Sequence, residues 1–165
     1  MINVGRFQVC VCQGNGNPDG LCGGDLLLQE KGKKVSISLR HAEEARALVI
    51  DGCICNDDGL KCDGLFLYRR GNHKWILLVE LKGSDIQHAF EQLHYTRFCR
   101  PEYAEIEQSF TEGRIGNLTR EAFIVSNHLF SKIEQNTLEN QWRMRVKNIL
   151  FSEATSPIPD LRDFL

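Results

Sequence analysis

Two apolar runs dominate the middle of the chain. CDGLFLYRR (62–70) and KWILLVELKG (74–83) are each strand-like, and Gly71-Asn72-His73 joins them. Gly and Asn between two such runs predict a β-hairpin. After the hairpin the period changes. Ile86, Ala89, Phe90, Leu93 and the aliphatic stem of Arg97 recur at helical spacing over 84–98, with Ser84 or Asp85 as a cap. Pro101 punctuates that helix, and AFIVS (122–126) reads as another buried strand. Before the hairpin, RHAEEARALVI (40–50) is rich in Ala, Glu, Arg and Leu and predicts a helix, with Gly52 as its stop. CICN (53–56) is a short apolar run closed by Asn56-Asp57-Asp58-Gly59.

The two ends are less regular. Residues 6–12 and 25–28 read as short strands separated by the turn-rich QGNGNPDG, and VSISL (35–39) follows the KGKK turn as a further strand. Residues 137–151 fit two patterns. Trp142, Met144 and Val146 alternate as in a strand, while Leu138, Trp142, Val146, Ile149 and Leu150 share a helix face, which is the reading preferred. SPIPDLRDFL (156–165) is expected to be irregular and packed on the domain. With 165 residues the chain suits one domain. The order helix, strand, strand, strand, helix, strand predicts an α/β fold, a mixed sheet flanked by helices.

The chemistry sits at one end of the hairpin. Side chains alternate along a strand, so Glu80 and Lys82 share a face while Leu81 points away. Charged groups closing a buried strand are costly unless paired or used. Asp63 opens the partner strand, and antiparallel pairing makes it a neighbour of Glu80. Two adjacent carboxylates repel, and a divalent cation relieves the repulsion.

Asp63 followed by Glu80-Leu81-Lys82 resembles the PD-(D/E)XK nuclease superfamily. The resemblance spans about residues 40–127 and implies a restriction-endonuclease-like core of order α-β-β-β-α-β. Residues 1–38 would form an N-terminal cysteine-containing hairpin region, and 128–165 a C-terminal helical extension. Cys62 stands where the family often has proline. The resemblance implies that Asp63, Glu80 and the main-chain carbonyl of Leu81 bind Mg²⁺ or Mn²⁺. It also implies that Lys82 assists the water that attacks a phosphodiester, leaving a 5′-phosphate. Gln92-Leu93-His94-Tyr95 resembles, at somewhat shorter spacing, the Gln-and-Tyr motif of the helicase-associated branch. Gln92 thereby joins the expected catalytic set, with His88, Tyr95 and Arg97 as substrate-binding candidates. Glu43 and Glu44 are alternatives for the acidic residue that some members carry on the helix before the first core strand.

Charge changes this picture little. A net charge of −2 is not the basic footprint of many nucleic-acid binders. Local positive charge exists at Arg97 and Arg100 and at Arg143, Arg145 and Lys147, either as solvated faces or as phosphate contacts. The resemblance favours DNA over RNA and allows a homodimer that cuts two strands. No apolar stretch reaches about 18 residues, and the N-terminus shows no signal-peptide pattern. The expected compartment is therefore the cytoplasm, with no membrane partner.

Seven cysteines complete the inventory. Cys10, Cys12 and Cys22 repeat the pattern of Cys53, Cys55 and Cys62, and Cys99 stands apart. The six clustered thiols could hold Zn²⁺ or an iron–sulfur cluster. Alternatively they are small buried hydrophobes, since no C-x-x-C knuckle is present. Disulfides are less expected in a cytoplasmic chain, with Cys12–Cys22 and Cys55–Cys62 as the available pairs. A second function class follows: a non-catalytic, cysteine-rich binding module on the same fold. A third is an RNA-cutting or structure-specific nuclease. Asn117-Leu118-Thr119 matches a glycosylation acceptor by chance. The Gly-rich stretch 14–24 lacks the Lys-Ser/Thr of a phosphate-binding loop and reads as a turn.

Overall fold

A computed structural model describes residues 1–14, 20–114 and 116–165. The turn expected over QGNGNPDG lies partly outside the described residues, at 15–19.

The central hairpin forms as its pattern predicts. β5 (Gly64–Arg70) and β6 (His73–Leu81) run antiparallel in a register that pairs Arg70 with His73 and Gly64 with Val79. Gly71 takes φ +58° at the first turn position, where glycine bears no Cβ penalty. Five strands make the main sheet in the order β4 (Glu43–Val49), β5, β6, β7 (Leu118–Ser126), β8 (Asn148–Phe151). The first three are antiparallel, whereas β6–β7 and β7–β8 are parallel. Parallel neighbours require crossovers. Helices α1 (Ile86–Cys99) and α2 (Pro101–Thr111) supply the first and α3 (Lys132–Trp142) the second. A separate antiparallel sheet is built from β1 (Cys22–Gly24), β2 (Leu27–Glu30) and β3 (Lys33–Ser36).

Alternation along the strands divides the core between two faces. Leu48, Leu65, Leu67, Ile76, Leu78 and Ile124 pack against Phe90 and Leu93 of α1 and Ile106 and Phe110 of α2. Ala47, Val49, Phe66, Leu77, Val79 and Phe123 pack against Leu28 and Val35 of the small sheet and Leu161 of the tail. The fold is thus mixed α/β, with helices on one face of the main sheet and a second sheet on the other.

Several expected elements differ. Residues 43–49 form β4, not a helix. Their helix-favouring composition is overridden because Leu48 and Ile50 bury on one face while Ala45, Ala47 and Val49 bury on the other. Gly52, expected as a helix stop, instead sits at φ +86° in the turn leaving β4. The outer edge of β4 is covered by the N-terminal segment, where the N–H of Cys12 donates to the Ala47 carbonyl at 2.8 Å. Residues 5–10 form a 3-10 turn, where a strand was expected. Pro101 starts α2, its missing N–H being no loss at the first helical position. The segment 137–151 is split: a capping box between Ser131 and Glu134 opens α3, Arg143 closes it in a left-handed conformation, and β8 follows. The tail lies on the small sheet through a bridge between Ser36 and Asp160 and ends in a 3-10 turn. Among the described residues no helix is long and apolar enough to cross a membrane.

Candidate functional site

The register that pairs Gly64 with Val79 sets Asp63 opposite Glu80, on the sheet face that α1 covers. Both carboxylates are buried, Asp63 at 7% exposure and Glu80 at 2%. Each is held by the main chain of the other strand. The N–H of Asp63 donates to Glu80 Oε2 at 3.1 Å, and the N–H of Leu81 donates to Asp63 Oδ2 at 2.6 Å. The Asp63 carbonyl in turn accepts from the N–H groups of Ile50 and Asp51, which ties the site to the end of β4.

Electrostatics make the pair unstable as two bare anions. Burial, and after it the charge of Glu30, pushes the Asp63 carboxyl up to about 7. Burial and the neighbouring Asp63 raise Glu80 well above the ordinary carboxylate range. Lys82 pulls both in the opposite direction. Its N–H donates to the Val125 carbonyl at 2.8 Å, which continues the β6–β7 ladder one residue past the strand. Its side chain is half-buried. Leu81 buries its side chain on the opposite face, as alternation requires.

The remaining expected residues are distributed unevenly. Gln92, half-buried on α1, donates from Nε2 to the Lys61 carbonyl at 3.0 Å, while its Oε1 is buried without a partner among the described residues. It therefore touches the chain leading into Asp63. His88 pairs with Glu91 of its own helix at 3.1 Å, and Tyr95 is 37% exposed beside the Arg100 guanidinium. Arg97 lies near the far end of α1, in a surface cleft shared with Phe98, Tyr103 and Arg120, and so is not gathered with the carboxylates. Arg100 is committed to Asp57, and Lys147 lies 4.0 Å from Glu121. Arg143 and Arg145 border a cleft after α3 with Asn136 and Asn140.

Glu43 and Glu44 do not join the site. They occupy the opposite end of β4, paired in register with Arg70 and Arg69, whereas Val49 pairs with Gly64. Six residues of strand make that separation about 20 Å. Glu43 instead meets Arg162 at 2.6 Å and Glu44 meets Arg69 at 2.6 Å.

The six-cysteine thiolate set is corrected. Cys10 is bonded to Cys53 and Cys12 to Cys22, so four sulfurs are engaged in disulfides. Cys55 and Cys62 are buried thiols, not the alternative Cys55–Cys62 disulfide, and Cys99 is exposed. Burial pushes the Cys55 thiol up to about 11 and Cys62 well above its ordinary value, against thiolate formation.

Sequence reasoning passed over Glu30, Asp51, Lys61 and Thr96. Glu30 and Asp51 raise Asp63 through their charge. Lys61 lies 3.6 Å from Asp51. Thr96 holds the main chain one residue before Asp63. The available signal was Thr96 standing four residues after Gln92, one helical turn along the same face. Among the described residues no group of three or more His, Cys, Asp and Glu side chains forms a ready cation cage. The chemistry on offer is two buried carboxylates, nearby main-chain groups and one half-buried lysine. No family model, curated protein or solved structure matches the chain.

Proposed function

We propose that the chain is a divalent-metal-dependent nuclease of PD-(D/E)XK type, with Asp63 and Glu80 as its cation-binding carboxylates and Lys82 as its cationic partner. The observation that carries this reading is the opposed pair Asp63–Glu80, buried, main-chain-bonded and raised in pKa. Burying two carboxylates face to face weakens a fold unless something offsets their charge. Mg²⁺ or Mn²⁺ fits this donor set, because both ions take oxygen ligands and are commonly held by one or two carboxylates.

The order from β4 through β7 supports the same reading. Three antiparallel strands, a helical crossover and a parallel strand have the order expected of the resembled core, although the first of them is β4 and not CICN (53–56), which is a turn. The helix expected over 40–50 does not form, because 43–49 are β4.

In this mechanism Asp63, Glu80 and the Leu81 carbonyl would hold the ion, whose chemistry is to acidify water and polarise the scissile phosphate. The N–H groups of Asp63 and Leu81 keep the two carboxylates oriented before substrate arrives. Lys82 balances their charge and stabilises the negative charge that grows on phosphoryl oxygens. DNA is the proposed substrate, and two copies of the chain would cut the two strands of a duplex.

The test is cleavage of plasmid, single-stranded DNA, a four-way junction and RNA in Mg²⁺ or Mn²⁺, with Lys82→Ala alongside. Products with 5′-phosphate ends, lost in EDTA and in the variant, are expected. Cleavage of RNA alone would move the substrate assignment. Inertness on every substrate would favour a binding module.

A further inference from the structure

Helix α1 carries a polar stripe on its packed side. Gln92 and Thr96, with Arg100 just past the helix end, stand four residues apart, and all three face the segment 57–62 that leads into Asp63. They hold its main chain at three consecutive residues. Arg100 Nε donates to the Leu60 carbonyl at 2.9 Å. Gln92 Nε2 donates to the Lys61 carbonyl at 3.0 Å. The Cys62 N–H donates to Thr96 Oγ1 at 2.8 Å.

Two of these contacts are themselves anchored. Thr96 is 1% exposed, and its hydroxyl donates back to the Gln92 carbonyl at 2.8 Å, which orients the lone pair that Cys62 uses. The Arg100 guanidinium forks onto Asp57 at 2.6 and 2.7 Å. Such bidentate geometry locks a long side chain. The fit there is close, since a Cβ at Gly59 would lie 2.7 Å from Arg100 Nη2. Arg100 adopts an extended conformation before Pro101 where α1 gives way to α2, so the helix break sets the direction of its side chain.

We propose that Thr96 and Arg100, with Gln92, are positioning residues for the cation site: α1 sets the place of the Asp63 main chain and, through it, of both carboxylates. This rests on the metal-dependent reading above. The transmission is short. Asp63 follows Cys62 directly, and its N–H bonds Glu80 Oε2. A shift of the main chain at 62–63 therefore moves one carboxylate with its backbone and releases the other. Metal–ligand distances lie within about 0.2 Å of their usual values, and residues that hold ligands in place are typically worth about 10–100-fold in metal affinity. Gln92 thereby moves from the catalytic set to a supporting one.

The test uses full-length protein and Mn²⁺, with free Mn²⁺ counted by electron paramagnetic resonance and the cleavage rate measured against metal concentration. Thr96→Val keeps the side-chain shape and removes the hydroxyl. It is expected to weaken Mn²⁺ binding about 10-fold or more. Thr96→Ser restores it to within about twofold, and Arg100→Met weakens it in the same direction. Thr111→Val is the control. Thr111 is also buried and also bonds the carbonyl four residues back, but it lies on α2, away from the 57–62 segment. Wild-type affinity in Thr96→Val would overturn the proposal, as would equal weakening in Thr96→Val and Thr111→Val. A wild type that takes up no Mn²⁺ would overturn the metal reading itself, and this inference with it.

Discussion

Asp63 and Glu80 face one another across β5 and β6, and the N–H of Asp63 donates to Glu80 Oε2 at 3.1 Å. One residue thus repels its neighbour through its side chain and holds it through its backbone. The main chain keeps the pair in place, and their charges oppose that arrangement.

A pH dependence of stability follows. The folded Asp63 carboxyl is raised to about 7 from an ordinary 3.8, and Glu80 is raised in the same direction. Between those limits the folded protein holds more protons than the unfolded chain, so stability falls as pH rises. The stability of the metal-free protein is expected to be higher at pH 5 than at pH 7.5, by on the order of 2–4 kcal/mol. Asp57 and Glu43 are shifted downward by Arg100 and Arg162 and act below the ordinary carboxylate range, outside this window. Thermal melting in EDTA measures the slope, and Mg²⁺ should reduce it.

At alkaline pH, where the buried carboxyls are forced to ionise, removing one charge at near-constant shape should stabilise the metal-free fold. Glu80→Gln is expected to gain about 1–3 kcal/mol in EDTA while losing the stabilisation by Mg²⁺. Denaturant unfolding with and without the ion reads both effects. A loss of stability in the variant would show that Glu80 is already compensated.

The hairpin and its opposed carboxylates were legible because alternation and a Gly-Asn turn fix a register within a few residues. β4 was not, because Ala, Glu and Arg favour helix locally and only the surrounding core makes 43–49 a strand. α2 was hidden by Pro101, which ends one helix and begins the next. Asn148–Phe151 could not be divided from α3 because its apolar residues fit both periods. Within the site, Asp63, Glu80 and Lys82 could be read from strand periodicity. Thr96 and Arg100 could not, because the Cys62 N–H and Leu60 carbonyl that they hold are main-chain atoms 34 and 40 residues away, and hydrogen bonds to backbone leave no side-chain pattern.

The Glu43–Arg162 pair gives a control on the third acidic residue. Glu43→Gln is expected to lower the melting temperature without changing cleavage, because the pair lies at the far end of β4. Parallel melting and rate measurements check this. A large loss of cleavage would return Glu43 to the site.

The disulfides should contribute according to the chain they enclose. Cys10–Cys53 spans 43 residues and Cys12–Cys22 spans 10, which corresponds to about 4 and 3 kcal/mol on the chain-entropy account. The double variant Cys10→Ser/Cys53→Ser should therefore unfold more readily than Cys12→Ser/Cys22→Ser. Denaturant midpoints rank them, and mass shifts after alkylation count the bonds.

The most direct measurement is cleavage of supercoiled plasmid in Mg²⁺ by the wild type beside Glu80→Gln and Lys82→Met, with folding of all three checked by melting. Mg²⁺-dependent nicking or linearisation by the wild type, reduced at least about 100-fold in both folded variants, is the predicted result. Equal cleavage by wild type and variants, or none by any of them on DNA or RNA, would contradict a nuclease site at Asp63, Glu80 and Lys82.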